Sequence, residues 1–307
     1  LGNLSALVAA RHAYLERHDG MRPPRFRIAA TGDAHSSIAT AARVLDIDVV
    51  PVPMDADGRL HGPTLAATLD AQDVDGLFAV VATGGTTNLG LIDDLDGVAD
   101  VAAERGVWFH VDCAYGGAAL CAPSVRPRFH GIERCDSFIV DPHKWLFAPY
   151  DCCALVYRDP LVAARAHTQH AGYLDAVHDG EWNPSDLAVH LTRRARGLPL
   201  WFSLAVHGTD AYGAAVEQTL ATTRAAADEI RSRPDLELVL EPELSVLVFR
   251  RPGWAPGDYA AWCRRLLDEQ VAFVTPTTHR GETVGRLCIV NPRTTLADVR
   301  AILDAMR

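Results

Sequence analysis

Lysine is almost missing from this 307-residue sequence: of its 29 cationic side chains, 28 are arginine and only Lys144 is lysine. A positive surplus is missing too. The 39 Asp and Glu residues leave a formal net charge of −10, which argues against a protein that grips a nucleic-acid backbone. Long apolar runs are absent, and the 77–82 segment falls far short of the roughly 20 residues that span a bilayer. No leader with a charged start and an apolar middle opens the sequence. None of the seven cysteines shows a CxxC spacing, and an odd number in so long a chain reads as reduced thiols of a cytosolic, cytoplasmic protein. A metal site is not expected, and repeats and low-complexity segments are lacking.

What remains is ordinary globular material, 49% apolar and 22% charged, enough for a sizeable core. At roughly 150 residues per domain the length suggests about two domains. The pattern changes near Pro234, so we expect a large unit over 1–230 and a smaller one over 231–307. The lone lysine matters chemically. Arginine keeps its proton, whereas a lysine amine can lose its own and attack an aldehyde to form a Schiff base. Composition alone leaves two readings, a chance survivor or an amine the chemistry requires.

Strands are expected over 27–31, 49–53, 76–82, 107–111, 137–140 and 154–157, with helices over 36–45, 63–71 and 93–105. Ser36 or Ser37 is the expected cap of the first of these helices. This rhythm predicts an α/β fold, a mostly parallel sheet covered by helices on both faces. A long helical stretch over 198–230 follows. Strands over 236–240, 245–250, 271–275 and 286–290, with helices over 259–269 and 296–306, predict a small C-terminal α+β unit.

In such sheets ligands gather beyond the carboxyl ends of the strands. The loops there read GDAHSS (32–37), TGGTTN (83–88), DCAYGG (112–117) and DPHKW (141–145). Asp112 ends a buried strand, where a carboxylate is costly unless it meets a cation. The protonated ring nitrogen of pyridoxal phosphate supplies one, and Lys144 lies 32 residues on to hold its aldehyde. His35 is placed to stack on the ring and Thr86 or Thr87 to contact its polar edge. Taken singly, Asp112 can also be read as a cap for the small-residue run 113–119, His35 and His143 as loop residues, and 83–87 as a tight turn.

The segments AHSS (34–37), GTT (85–87), HVDCAYGG (110–117), DPHKW (141–145) and LTRRARGLPLWFSLAVHG (191–208) together resemble the group II pyridoxal-phosphate-dependent decarboxylases. That family includes aromatic-L-amino-acid, tyrosine, histidine and glutamate decarboxylases. The resemblance implies fold type I and a role for each matched position. Lys144 would form the Schiff base and Asp112 would pair with the ring nitrogen. Ala114 and His35 would lie against the ring, with His35 near the substrate carboxylate. Thr87, Asp141 and His143 would line the cofactor, the last two toward its phosphate. Arg286 would hold the substrate carboxylate or form a structural ion pair.

Tyr173, 29 residues beyond Lys144, falls where the family's mobile loop carries the residue that protonates Cα. Relatives that oxidatively deaminate have Phe there, so Tyr173 favours simple decarboxylation. The family's flap closes over a neighbouring subunit, which implies a homodimer. Asp141 stands where many members have Asn. The match begins just after the family's Gly-Gly-[ST] phosphate turn, so another segment or a second chain is expected to supply it. The expected activity is decarboxylation of an L-amino acid, aromatic by preference, to its amine. The alternatives are oxidative deamination or carbon–carbon lysis on the same cofactor, or a non-catalytic subunit paired with a complete chain.

Overall fold

The computed structural model describes residues 1–72, 74–169 and 183–306. β1 (Arg27–Thr31), β2 (Asp48–Val52), β3 (Leu77–Thr83), β4 (Trp108–Asp112), β5 (Ser137–Val140) and β6 (Ala154–Tyr157) share one sheet, in the order β2-β1-β3-β4-β5-β6. The first five are parallel and β6 runs antiparallel to β5. All seven residues of β3 are buried, as a strand covered on both faces requires.

Six helices accompany this sheet: α1 (Gly2–Arg17), α2 (Ser36–Leu45), α3 (Gly62–Asp70), α4 (Leu95–Arg105), the short α5 (Pro142–Trp145) and α6 (Pro160–His167). On one face α3 and α4 bury Leu65, Leu69, Val98 and Ala102. On the other, α1, α2 and α6 bury Leu7, Ala10, Ile38 and Ala163 with Ile28 and Phe78. Strand order reverses between β1 and β3, the point beyond whose carboxyl ends ligands gather in sheets of this kind. Sequence periodicity does not announce α1. Its buried face includes Asn3, Ser5, Ala6, Ala9 and Ala10, so small and polar residues replace the usual apolar stripe.

α7 (Gly197–Ser232) is interrupted at Gly208, whose φ of 75° and ψ of 163° suit glycine. Beyond it β7 (Glu237–Leu238), β8 (Val246–Arg250), β9 (Thr277–His279) and β10 (Glu282–Cys288) form an antiparallel sheet, β7-β8-β10-β9. α8 (Pro256–Asp268) and α9 (Leu296–Asp304) bury Trp262, Leu266, Val299 and Leu303 with Phe249 and Leu287 of this sheet, and the end of α7 adds Ala227 and Ile230.

The strand expected over 271–275 does not form. Val271 N–H and Ala272 N–H both turn back to the Leu266 carbonyl, at 2.9 and 3.3 Å, so the segment is the exit of α8 rather than a ladder partner. Glu243, between β7 and β8, accepts from both terminal guanidinium nitrogens of Arg59 at 3.0 and 2.8 Å, from Arg128 at 2.9 Å and from Ile92 N–H at 3.1 Å. That carboxylate pins the smaller sheet to loops of the larger one. Among the described residues no helix is long and apolar enough to cross a membrane.

Candidate active site

Asp112 is the last residue of β4 and is 4% exposed. Its Oδ1 accepts from Ala114 N–H at 3.1 Å and its Oδ2 from Asn3 Nδ2 at 2.8 Å. These donors offset part of the desolvation of a buried carboxylate. Asp112 does not cap the following 3₁₀ turn (Gly116–Cys121), whose N-cap is Tyr115.

The Ala114 carbonyl accepts from Asp141 N–H at 2.9 Å, and the Asp141 carbonyl accepts from Lys144 N–H at 2.9 Å. The lysine turn thus hangs from the loop that carries Asp112, and the register of β4 on β5 sets Asp112 beside Ile139. Lys144 Nζ lies 3.0 Å from Asp141 Oδ2, with its side chain 38% exposed. Trp145, the next residue, is fully buried and donates from Nε1 to Thr219 Oγ1 at 3.0 Å. Its ring stacks on Tyr115 at 5.0 Å and 11°. The Tyr115 hydroxyl accepts from Ser245 N–H at 2.9 Å and lies 2.6 Å from Ser245 Oγ, while burial pushes the phenol pKa well up. His143 donates from Nδ1 to the Cys152 carbonyl at 2.6 Å and packs edge-on to Tyr150.

At the end of β1, the cap of α2 is His35 rather than Ser36 or Ser37. Its Nδ1 accepts from Ser37 N–H at 3.2 Å, and Ser37 Oγ turns instead toward that same nitrogen and toward Asn3. Beyond β3 the two threonines separate. Thr86 is buried and its Oγ1 accepts from Leu91 N–H at 3.1 Å, closing the turn, whereas Thr87 stands exposed at the rim. Arg286 Nη2 donates to the Thr87 carbonyl at 2.6 Å and Nε to the Asn88 carbonyl at 3.3 Å. The loops close tightly here: a Cβ on Gly116 would stand 2.1 Å from the Gly84 carbonyl oxygen, and one on Gly85 would stand 2.9 Å from Gly116 Cα.

Asp112, Ala114, Asp141 and Lys144 therefore meet through backbone ties. His35 reaches Asp112 through Ser37 and Asn3, and Thr87 meets Arg286 across the rim. Tyr173 lies outside the described residues. The sequence assigned no role in the site to Asn3, His110, Tyr115 or Ser245, and to Ser37 only that of a helix cap; Ser37, His110 and Tyr115 lie within the motifs, whereas Asn3 and Ser245 carry no local signal.

The description "Pyridoxal-dependent decarboxylase conserved domain" belongs to the family model that matches residues 1–251. L-2,4-diaminobutyrate decarboxylase of Rhizobium meliloti (strain 1021) is 36% identical over 91% of this chain and 59% of its own length. Cysteine sulfinic acid decarboxylase of Mus musculus is 34% identical over 81% of this chain and 53% of its own. The crystal structure of Oryza sativa TDC with PLP and tryptamine superposes with a TM-score of 0.88 at 30% identity, covering 99% of this chain and 68% of that one. The chain thus spans between half and two thirds of the length of such curated relatives. With a match that takes in the crevice loops and most of the chain, this protein belongs to the pyridoxal-dependent decarboxylase family.

Proposed function

We propose that this chain carries the reaction centre of a pyridoxal-phosphate-dependent enzyme that decarboxylates an L-amino acid to its amine. The observation that carries the reading is the backbone tie from Asp141 N–H to the Ala114 carbonyl, which links the turn carrying the only lysine to the loop that follows the buried Asp112. The donor set fits the cofactor. Lys144 offers a primary amine for an aldehyde, and each Asp112 oxygen has one donor and lone pairs left over for a ring N–H. The bound cofactor supplies an electron sink for the charge left as carbon dioxide departs.

Each remaining role belongs to the chain's own residues. Asp112 holds an acceptor at one place in a buried site, where an ionic hydrogen bond is stronger than in water. Asp141 holds the Lys144 side chain at 3.0 Å, and Lys144 would hold the aldehyde carbon of the cofactor. His35 and Ala114 would flank the cofactor ring, and Thr87, Asp141 and His143 would line its polar edge. Arg286 would hold the substrate carboxylate while its remaining donors stay on the Thr87 and Asn88 carbonyls. Tyr173 is the proposed proton donor to Cα.

An aromatic substrate comes first for testing, on the likeness to the Oryza sativa structure with tryptamine; diaminobutyrate and cysteine sulfinate follow from the other relatives' names. The division into a cofactor unit over 1–230 and a smaller unit over 231–307 belongs to this reading, as does a cytosolic location. So does a homodimer, supported by the exposed strip Leu198, Trp201, Phe202 and Val206 on the first half of α7. Trp201→Glu should shift sedimentation from dimer to monomer.

The main test is spectroscopic and uses the protein with any flanking sequence it naturally carries. Wild type loaded with pyridoxal phosphate should show visible absorbance that Lys144→Ala lacks, and a screen of amino acids should release amine. A colourless wild type sinks the reading. Aldehyde with ammonia or peroxide as product transfers it to oxidative deamination.

A further inference from the structure

One amide side chain joins the two groups that the proposed function assigns to the cofactor ring. Asn3 Nδ2 donates to Asp112 Oδ2 and to Ser37 Oγ, each at 2.8 Å, and Asn3 Oδ1 lies 2.9 Å from His110 Nε2. Ser37 Oγ in turn lies 2.8 Å from His35 Nδ1. Asn3 is 4% exposed and His110 is fully buried, so these bonds form away from water.

Chemistry dictates the direction of every bond. Asp112 Oδ2 accepts from Asn3, so the Asn3 nitrogen faces Asp112 and its oxygen faces His110. His110 Nε2 therefore carries the ring hydrogen. Burial pushes the His110 pKa down to about 4, so the ring is neutral and Nδ1 is an acceptor. Its donor is the Ser137 hydroxyl at 2.8 Å, which itself accepts from Trp108 Nε1 at 2.8 Å. The Ser137 carbonyl, 3.2 Å from the same Nδ1, is then a neighbour rather than a partner.

The other branch is equally directional. Ser37 Oγ receives the second Asn3 hydrogen and passes its own to His35 Nδ1. Ser37 N–H also points at that nitrogen, at 3.2 Å, so a neutral His35 carries its hydrogen on Nε2. A continuous polarity runs from Trp108 through Ser137 and His110 to Asn3, and there divides to Asp112 and to His35.

We infer that Asn3 is a positioning residue whose single amide sets the oxygen that Asp112 presents and turns the Ser37 hydroxyl onto His35 Nδ1. The inference rests on the proposed function for its consequence, since Asn3 acts on the cofactor only through Asp112 and His35. A buried amide without this wiring would let the Asp112 carboxyl rotate and the Ser37 hydroxyl turn away from His35, leaving the Ser37 N–H alone on Nδ1.

The test has two arms. In the first, ¹⁵N NMR of the wild type reads the imidazole nitrogens directly. Hydrogen on His110 Nε2, with His35 Nδ1 unprotonated in its neutral form, is the expected result; hydrogen on His110 Nδ1 overturns the inference. The second arm measures cofactor dissociation constants by absorbance titration. Asn3→Ala should weaken binding roughly 10-fold, as loss of one buried bond to a charged group does. The same change in an Asp112→Ala background should have less than about a 2-fold effect, because the partner is gone. Equal losses in both backgrounds overturn the inference. Should Asn3→Ala fail to fold, the wild-type tautomers still decide. A wild type that takes up no pyridoxal phosphate instead refutes the proposed function and leaves the tautomer arm standing.

Discussion

Lys144 Nζ and Asp141 Oδ2 stand 3.0 Å apart across one short turn, so the chain's only primary-amine side chain rests against a carboxylate from its own helix cap. With the Lys144 side chain 38% exposed and that of Asp141 16% exposed, solvent screens the pair. Asp141→Asn should therefore lower the stability of the cofactor-free protein by no more than about 1 kcal/mol. Urea denaturation measures it. A loss several times larger would make the pair a structural strut instead of a holding place for the amine.

Two buried groups should bend the pH dependence of stability in opposite directions. Asp93 accepts from Leu60 N–H at 2.9 Å and Thr83 N–H at 2.7 Å, yet burial dominates and raises its pKa from 3.8 to about 6. The folded state then holds a proton that the unfolded state has lost, so this group's contribution falls as pH rises from 3.8 to about 6. His110, lowered from 6.5 to about 4, is protonated only in the unfolded state between those values, so its contribution is lost as pH falls through them. Asp93→Asn removes the first effect alone. Its stability should climb more steeply than that of wild type between pH 4 and pH 6, a difference that urea midpoints across this range resolve; parallel curves would show that Asp93 does not titrate there.

Glu243→Gln should separate the smaller sheet from the crevice loops. The side chain is 9% exposed and faces two guanidinium groups, with Arg59 at 24% and Arg128 at 53% exposure. Removing its charge leaves the half-buried Arg59 with only the electrostatic attraction of Asp55 and Asp57. A loss of roughly 2 kcal/mol is expected, below that of a fully buried pair because Arg128 is open to solvent. Hydrogen exchange should speed up at Ile92, whose N–H this carboxylate accepts. Unchanged exchange there would contradict the pinning role.

Gly116→Ala tests the contact between the β3 and β4 loops. The new Cβ would stand 2.1 Å from the Gly84 carbonyl oxygen and 2.9 Å from Leu244 Cδ1, and backbone cannot give way as a flexible side chain does. Destabilisation of about 3 kcal/mol is expected, with weaker cofactor binding because the loop carrying Thr87 must shift. A neutral substitution by thermal melting would mean that these loops are further apart than the structure has them.

Much of the site was legible because parallel strands buried on both faces read as short apolar runs, and the polar residues after each run mark the crevice. β3 and its TGGTTN loop are the clearest case. The strand misplaced over 271–275 shows the opposite. Val271, Ala272 and Phe273 look like a strand locally, but the Val271 and Ala272 N–H groups return to Leu266 and Phe273 is 80% exposed. Likewise His35 took the capping role from its serine neighbours, because Ser37 Oγ is engaged by Asn3.

By itself the amino-acid order determined the α/β alternation, the four polar loops and the singular amine at Lys144, all properties of residues near one another along the chain. Tertiary structure alone decided that Asn3, 109 positions from Asp112, would donate to its carboxylate, and that Tyr115 would meet Ser245 from 130 positions away. The physical reason is that hydrogen-bond polarity in a buried site depends on which donors the packing brings within 3 Å, and small polar residues such as Asn and Ser leave no periodic trace of that choice.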